Sequence, residues 1–248
     1  KHVWLNSSYE EKGGLESHNV FECINKNTYL ALKHKGLVPD ALPSMCVLIV
    51  KSDKDTNPTC AKSWIVVLGN FEDRIYTKSQ RYAPVLTQTS LRLLVSKAVS
   101  HRRVLQQGDC KNAFCNAKLP DDEKIAVRPP VGDPAHDKDE YWLLRKTLYG
   151  LRRSPRHWYN KFTAALQSLG LAASIHDPCL YQGVVRDDTT TSTPADATST
   201  GPPPAPFYVG IYVDDFVYFS EDPEQERKFE RLLRNKFRVD FMGEVDFF

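Results

Sequence analysis

Tyr212-Val213-Asp214-Asp215-Phe216-Val217-Tyr218-Phe219 decides how the rest of the chain is read. Two adjacent aspartates interrupt an apolar run that begins at Phe207 and is rich in valine and tyrosine, a composition that favours strands. The plain reading is a β-hairpin whose two-residue turn is acidic, since aspartate suits turns and strand pairs often turn on two residues. The apolar flanks argue for more. Burial on both faces would make two ionised carboxylates costly unless they are paired or bind metal. Another lone acid closes a second strand-like stretch, Val104-Leu105-Gln106-Gln107-Gly108-Asp109. Three carboxylates from two neighbouring strands can hold two Mg2+ ions, because magnesium prefers hard oxygen ligands and keeps several waters. Two such ions roughly 3.5–4 Å apart suit nucleotidyl transfer. Successive strand residues face opposite ways, so Asp214 and Asp215 share a site only where a turn re-aims one of them. Asp214 would then be the stronger ligand.

Outward from this stretch, strands are expected at 45–51, 64–68, 104–108, 124–128 and 179–185. Three helices are marked. Leu91, Leu94, Val95, Ala98 and Val99 form an apolar face behind the cap-rich Thr87-Gln88-Thr89-Ser90. Ser154 reads as an N-cap followed by Pro155 at the first helical position, and Gly170 ends that helix. Its apolar face is Trp158, Phe162, Ala165, Leu166 and Leu169. Asp222-Pro223-Glu224-Gln225 resembles a capping box, with Phe229, Leu232, Leu233 and Phe237 behind it. Mixed helices and strands, with many adjacent strand pairs, point to an α+β fold. Residues 187–206 hold five of the sixteen prolines and no large apolar side chain, so they read as a flexible connection between two strands.

The composition is that of a globular protein. With 248 residues, 41% apolar, the chain can bury a core without staples. No apolar run reaches the roughly 18–20 residues that span a bilayer, so no membrane partner is expected. Lysine and arginine total 33 against 31 acids, so net charge says little about partners and any nucleic-acid case rests on charge placement. Such placement exists: Tyr141 to Lys161 contains no acid but carries Arg145, Lys146, Arg152, Arg153, Arg156 and Lys161. The arginines suit phosphate contact and the interleaved aromatics base stacking; a solvated basic helix end is the competing reading. The cysteines at 23, 46, 60, 110, 115 and 179 form no CxxC pair or zinc spacing. They read as reduced core thiols, which favours an intracellular setting. Lys1 and Phe248 both read as cuts through a longer polypeptide.

Four stretches together resemble the reverse transcriptase domain of Ty1/copia-type retrotransposons. Gln107-Gly108-Asp109-Cys110-Lys111-Asn112-Ala113-Phe114-Cys115-Asn116 is similar to the family's first catalytic block. Leu148-Tyr149-Gly150-Leu151-Arg152-Arg153-Ser154-Pro155-Arg156-His157-Trp158-Tyr159 is similar to its Leu-Tyr-Gly-Leu-Lys-Gln-Ser-Pro-Arg-x-Trp block. Tyr212–Asp215 matches its Tyr-Val-Asp-Asp box, and Tyr82-Ala83-Pro84-Val85 resembles its Phe-Ala-Pro-Val.

The resemblance implies a right-hand polymerase with fingers and an antiparallel palm sheet packed by helices, its thumb missing. Residues 1–90 would be fingers, 91–118 palm, 119–154 a return to the fingers, and 155–248 palm interrupted by 187–206. Asp109, Asp214 and Asp215 would be the catalytic, metal-binding triad, holding two Mg2+ ions with Mn2+ as a substitute. Phe114 would lie under the incoming sugar, with Tyr149, Lys51 and Lys62 also binding the nucleotide. Arg152, Arg153, Ser154, Pro155 and Arg156 would touch nucleic acid. The implied partners are an RNA template, a DNA primer and a dNTP, with RNase H and integrase segments of the Pol polyprotein absent here. A cytoplasmic virus-like particle is the implied location. One departure stands out: the family's fingers strand Lys-Ala-Arg-Leu-Val-Ala-Arg-Gly corresponds to Lys62–Gly69, and its two arginine positions read Trp64 and Leu68. The functional readings are an RNA-directed DNA polymerase, a non-catalytic nucleic-acid-binding remnant, and a two-metal nuclease, the last disfavoured by Phe114.

Overall fold

A computed structural model describes residues 2–52, 56–187 and 205–245. In chain order the elements are α1 (His2–Ser17), β1 (Phe21–Asn25), α2 (Lys26–His34), β2 (Leu42–Ser52), β3 (Pro58–Val67), α3 (Lys78–Arg81), α4 (Gln88–Ser100), β4 (Gln106–Cys110) and β5 (Ala126–Arg128). There follow α5 (Pro134–Asp137), β6 (Glu140–Leu144), α6 (Ser154–Ser168), β7 (Leu171–Ala173), β8 (Leu180–Gly183), β9 (Phe207–Tyr212), β10 (Asp215–Ser220), α7 (Pro223–Lys236) and β11 (Val239–Glu244). The α+β expectation holds. Two compact units emerge: residues 1–82 with 114–157, and 83–113 with 158–248.

The first unit is built on a five-stranded sheet of order β1-β6-β5-β2-β3. All pairs are antiparallel except β2 with β5. Alternation along β3 buries Ser63, Ile65 and Val67 on one face. Ile65 and Val67 join Leu15, Trp142 and Leu148 in one apolar cluster. The 148–151 stretch presses on the end of β3: the Val67 amide donates to the Tyr149 carbonyl at 2.8 Å. Gly150 is left-handed (φ +93°), and a Cβ there would sit 1.9 Å from the Val67 carbonyl oxygen. Only glycine permits that approach.

The second unit is a six-stranded antiparallel sheet of order β11-β4-β10-β9-β8-β7. One face carries a dense aromatic core. Phe216, Phe229 and Phe207 are buried, with Phe207 and Phe229 centroids 4.5 Å apart. Gly108 on β4 makes room for it: an added Cβ would lie 2.4 Å from the Phe216 ring. β8 and β9 pair as neighbours, as expected for strands joined by 187–206; most of that segment lies outside the described residues.

Several local expectations are corrected. Ser154 lies within α6, and its hydroxyl donates to the Leu148 carbonyl (2.6 Å) instead of capping. Asp222 does cap α7, accepting from the Glu224 amide at 2.8 Å. Gln225 does not complete a capping box; its carboxamide oxygen accepts from the Val185 amide across the unit. Val99 is 68% exposed, because α4 turns Leu94 and Ala98 inward on a narrower stripe. Cys110, Cys115 and Cys179 are buried, but Cys23 and Cys60 are exposed, so not all the thiols are core; all six are free. Leu68 falls just past the end of β3.

Candidate active site

The hairpin formed by β9 and β10 closes on the pair Tyr212↔Asp215, so its two turn residues are Val213 and Asp214, not Asp214 and Asp215. Val213 is left-handed (φ +59°) while Asp214 is not, the signature of a type II′ turn. That first central position ordinarily carries glycine, and a β-branched side chain there costs about 1–3 kcal/mol. The expectation of burial on both flanks holds for β9 from Phe207 to Ile211 but fails at the tip, where Tyr212, Val213 and Asp215 are exposed. The turn thus lifts the acids out of the apolar run that precedes them.

The sheet register then assembles the acids. Asp109 on β4 lies directly opposite Asp215 on one side and opposite Asp240 of β11 on the other. Like charges placed so repel. The Asp215 carboxyl is pushed up by partial burial, then by Asp214 and Asp109, against a smaller opposing pull from Lys111. The buried Cys110 thiol is pushed up first by burial and then by all three of Asp109, Asp214 and Asp215. The Cys110 amide donates to the Asp214 carbonyl at 2.9 Å, tying the turn to the strand that carries Asp109. The three sequence-predicted carboxylates are therefore brought together.

Two further charges belong to this cluster. The Lys111 ammonium pairs with Asp109 and lies 3.0 Å from Asp240, and its own proton is held more tightly by the hydrogen bond to Asp109. Nothing in the sequence singles out Asp240; only the β4–β11 register reveals it. Lys111 stands in the same sequence block as its partner Asp109, while its second partner, Asp240, lies far along the chain.

The remaining predicted residues lie in the first unit. Phe114 sits in the 3-10 turn Ala113–Asn116, and its ring meets Tyr149 edge-on with centroids 4.8 Å apart. Lys51, exposed, and Lys62, half-buried, lie on the paired strands β2 and β3, opposite Cys60 and Ile49. The Lys62 ammonium stands 5.0 Å from the Trp64 ring.

The basic stretch is held from beneath by two buried acids that sequence reading missed. Glu72 accepts from the Arg152 amide at 2.8 Å, and the Arg152 guanidinium donates to the Asn70 carbonyl. Glu123, only 3% exposed, takes Arg153 at 2.6 Å and meets His157 at 3.2 Å on the same oxygen. Tyr76 donates to its other oxygen at 3.3 Å. Burial alone would raise the Glu123 carboxyl; the His157 hydrogen bond and the Arg153 charge outweigh it and hold it low. Ser154 is buried (1% exposed) and presents no hydroxyl to a ligand, while Pro155 and Arg156 are partly exposed. Glu123 follows Asp121 and Asp122 directly, and nothing in the local sequence separates the buried acid from its two exposed neighbours.

Comparison with known proteins assigns the class. Residues 39–190 match the reverse transcriptase (RNA-dependent DNA polymerase) family, and the chain belongs to it. The chain is similar to the retrovirus-related Pol polyprotein from transposon TNT 1-94 of Nicotiana tabacum, 33% identical over 163 residues, covering 64% of this chain and 12% of the relative. The Pol polyproteins from transposons RE1 and RE2 of Arabidopsis thaliana are 28% and 29% identical, over 68% and 58% of this chain, each match covering 10% of the relative. More narrowly, then, this is a reverse transcriptase domain of a Ty1/copia-type retrotransposon. The chain corresponds to about a tenth of the polyproteins it matches.

Among the described residues, no group of three or more His, Cys, Asp or Glu side chains could hold a metal ion as the side chains stand. The donor chemistry nonetheless fits a hard divalent cation. The carboxylates supply oxygens alone, and their repulsion, visible in the raised Asp215, is what a dication would relieve. No helix in the described residues is long and apolar enough to cross a membrane.

Proposed function

We propose that this domain is an RNA-directed DNA polymerase that extends a DNA primer on an RNA template. The second unit would serve as palm and the first as fingers. The observation that carries the reading is the direct opposition of Asp109 and Asp215 across β4 and β10, with Asp214 held beside them by the turn. These three residues would hold two Mg2+ ions, or Mn2+ in their place. Bound there, the ions would activate the primer 3′-hydroxyl and stabilise the leaving pyrophosphate. The chain's own contribution would be a set of carboxylates gathered by the sheet register, from which the Lys111 ammonium now on Asp109 must withdraw as the ions arrive.

Phe114 and Tyr149 would offer an aromatic wall to the sugar of the incoming nucleotide, and Lys51 and Lys62 cations to its triphosphate. Pro155 and Arg156, with the backbone at Arg152 and Arg153, would follow a nucleic-acid strand. The guanidinium of Arg153 is spent on Glu123, so its part there is structural. Trp64 and Leu68 stand where relatives of this family carry arginine, leaving Lys62 the larger share of phosphate binding.

The test is primer extension on poly(rA)·oligo(dT) with Mg2+, beside the Asp214→Asn variant. Extension lost in that variant supports the reading. Extension that survives Asp214→Asn sinks the triad. Salt-sensitive template–primer binding without any extension would make the chain a binding remnant, and shortening of labelled nucleic acid without nucleotide would make it a nuclease.

A further inference from the structure

We propose that Trp158 is a positioning residue for the Val213–Asp214 turn: its indole N–H holds the turn in the conformation that delivers Asp214 and Asp215, an inference resting on the polymerase reading above. The indole nitrogen donates to the Val213 carbonyl at 2.7 Å. Trp158 is 1% exposed, so its donor has no water to fall back on. The ring cannot swing away. It stacks on Phe162 with centroids 5.1 Å apart and meets Phe237 edge-on at 5.3 Å. The donor is thus fixed by the aromatic core before the turn forms its bond.

The acceptor lies where help is needed. Val213 occupies a left-handed conformation that β-branched residues avoid, in a turn position suited to glycine. Left alone, it would relax toward negative φ and swing the following aspartates. Two donors oppose this. The Cys110 amide takes the Asp214 carbonyl, and Trp158 takes that of Val213, so both turn carbonyls are held. Burial of a tryptophan does not by itself create such a bond: Trp142 is 0% exposed, and its indole nitrogen has no hydrogen-bond partner. The two-residue turn accordingly carries one contact from its own sheet and one from α6.

The experiment is hydrogen exchange by mass spectrometry on the whole chain, with Trp158→Phe. Exchange in the peptide spanning Tyr212–Asp215 should rise about tenfold, the worth of one buried hydrogen bond, while α4 and α7 keep their protection. In primer extension, kcat should fall about tenfold with KM for the nucleotide unchanged. Unchanged exchange in the turn overturns the proposal. Should Trp158→Phe lose protection everywhere, 3-benzothienylalanine at position 158 keeps the two-ring shape and lacks the N–H. It must reproduce the local rise, or the proposal fails. With Val213→Gly as background, Trp158→Phe should speed turn exchange only about twofold, because glycine needs no pin; an undiminished tenfold effect would overturn the strain argument. The exchange readout is independent of catalysis. A wild-type chain that extends no primer would remove the polymerase reading and leave the pin standing.

Discussion

Glu123 and Asp215 are carboxylates in the same chain, each with a cation nearby, and they are perturbed in opposite directions. Glu123 is buried deeper, yet its carboxyl is held low, because His157, Arg153 and Tyr76 converge on it. Asp215 is exposed, yet its carboxyl is pushed up by partial desolvation and by Asp214 and Asp109. Depth of burial does not decide the matter; satisfaction does. The first region has closed its electrostatic account within its own fold. The second concentrates acids with Lys111 as their internal cation, and their mutual repulsion adds to partial burial in raising Asp215.

The largest effect should come from removing charge in the second region. Asp109→Asn or Asp214→Asn should lower the primer-extension rate at least about a thousandfold, equivalent to roughly 4 kcal/mol of transition-state stabilisation. For Asp214→Asn the melting temperature should hold or rise slightly, since one repulsive partner is gone; Asp109→Asn also gives up the Lys111 ion pair, so its melting temperature should gain less. An unfolded variant would show that these acids serve the fold and would erase the contrast with Glu123.

Glu123→Gln should do the reverse. It strips the charged partner from a half-buried Arg153 and costs about 2–4 kcal/mol, read as a lower urea midpoint. The pH dependence has a defined sign. The folded-state pKa of Glu123 lies below the ordinary 4.5, so the unfolded chain binds more protons as the solution is acidified. The stabilisation is complete above about pH 4.5 and is lost as pH falls through the depressed value. The wild type should therefore lose stability more steeply than Glu123→Gln below that pH. Parallel acid limbs would mean that Arg153 and His157 do not hold the carboxylate.

Two arginines three residues apart test the same division more finely. Arg153→Ala should behave as a stability variant, mirroring Glu123→Gln. Arg156→Ala should leave the unfolding free energy within about 0.5 kcal/mol and reduce the salt dependence of template–primer binding by about one unit of log–log slope. If Arg153→Ala alone changes the salt slope, the guanidinium reaches nucleic acid despite Glu123.

Much of this was legible in the sequence because it is local. α4 and α7 announced themselves by caps and apolar period, and the apolar runs marked β2, β3 and β9. The three candidate carboxylates could be read from motif and strand context, and register then put Asp109 opposite Asp215. What escaped depends on long-range pairing. Asp240 enters only through the β4–β11 register, and Glu123 only because residues 30 and 34 positions away fold over it. Gln225 reads locally as part of a cap, but its carboxamide oxygen instead takes the buried Val185 amide, 40 positions away. The identity of the turn residues also needed register: a shift of one position moves Asp215 from turn to strand.

The smallest predicted effect lies at that turn and bears on why its strain persists. Val213→Gly removes a β-branched side chain from a left-handed position but adds backbone freedom to the unfolded chain. The two terms nearly cancel, so stability should rise by no more than about 1 kcal/mol in urea unfolding. Extension should nonetheless slow, because a glycine turn samples conformations that valine, once pinned, cannot. A variant at least as stable and yet slower would mean that the valine is kept for rigidity at the acids and not for the fold. If instead Val213→Gly is faster or equal, the strain serves no positioning role, and the turn becomes an ordinary hairpin end that happens to carry aspartates.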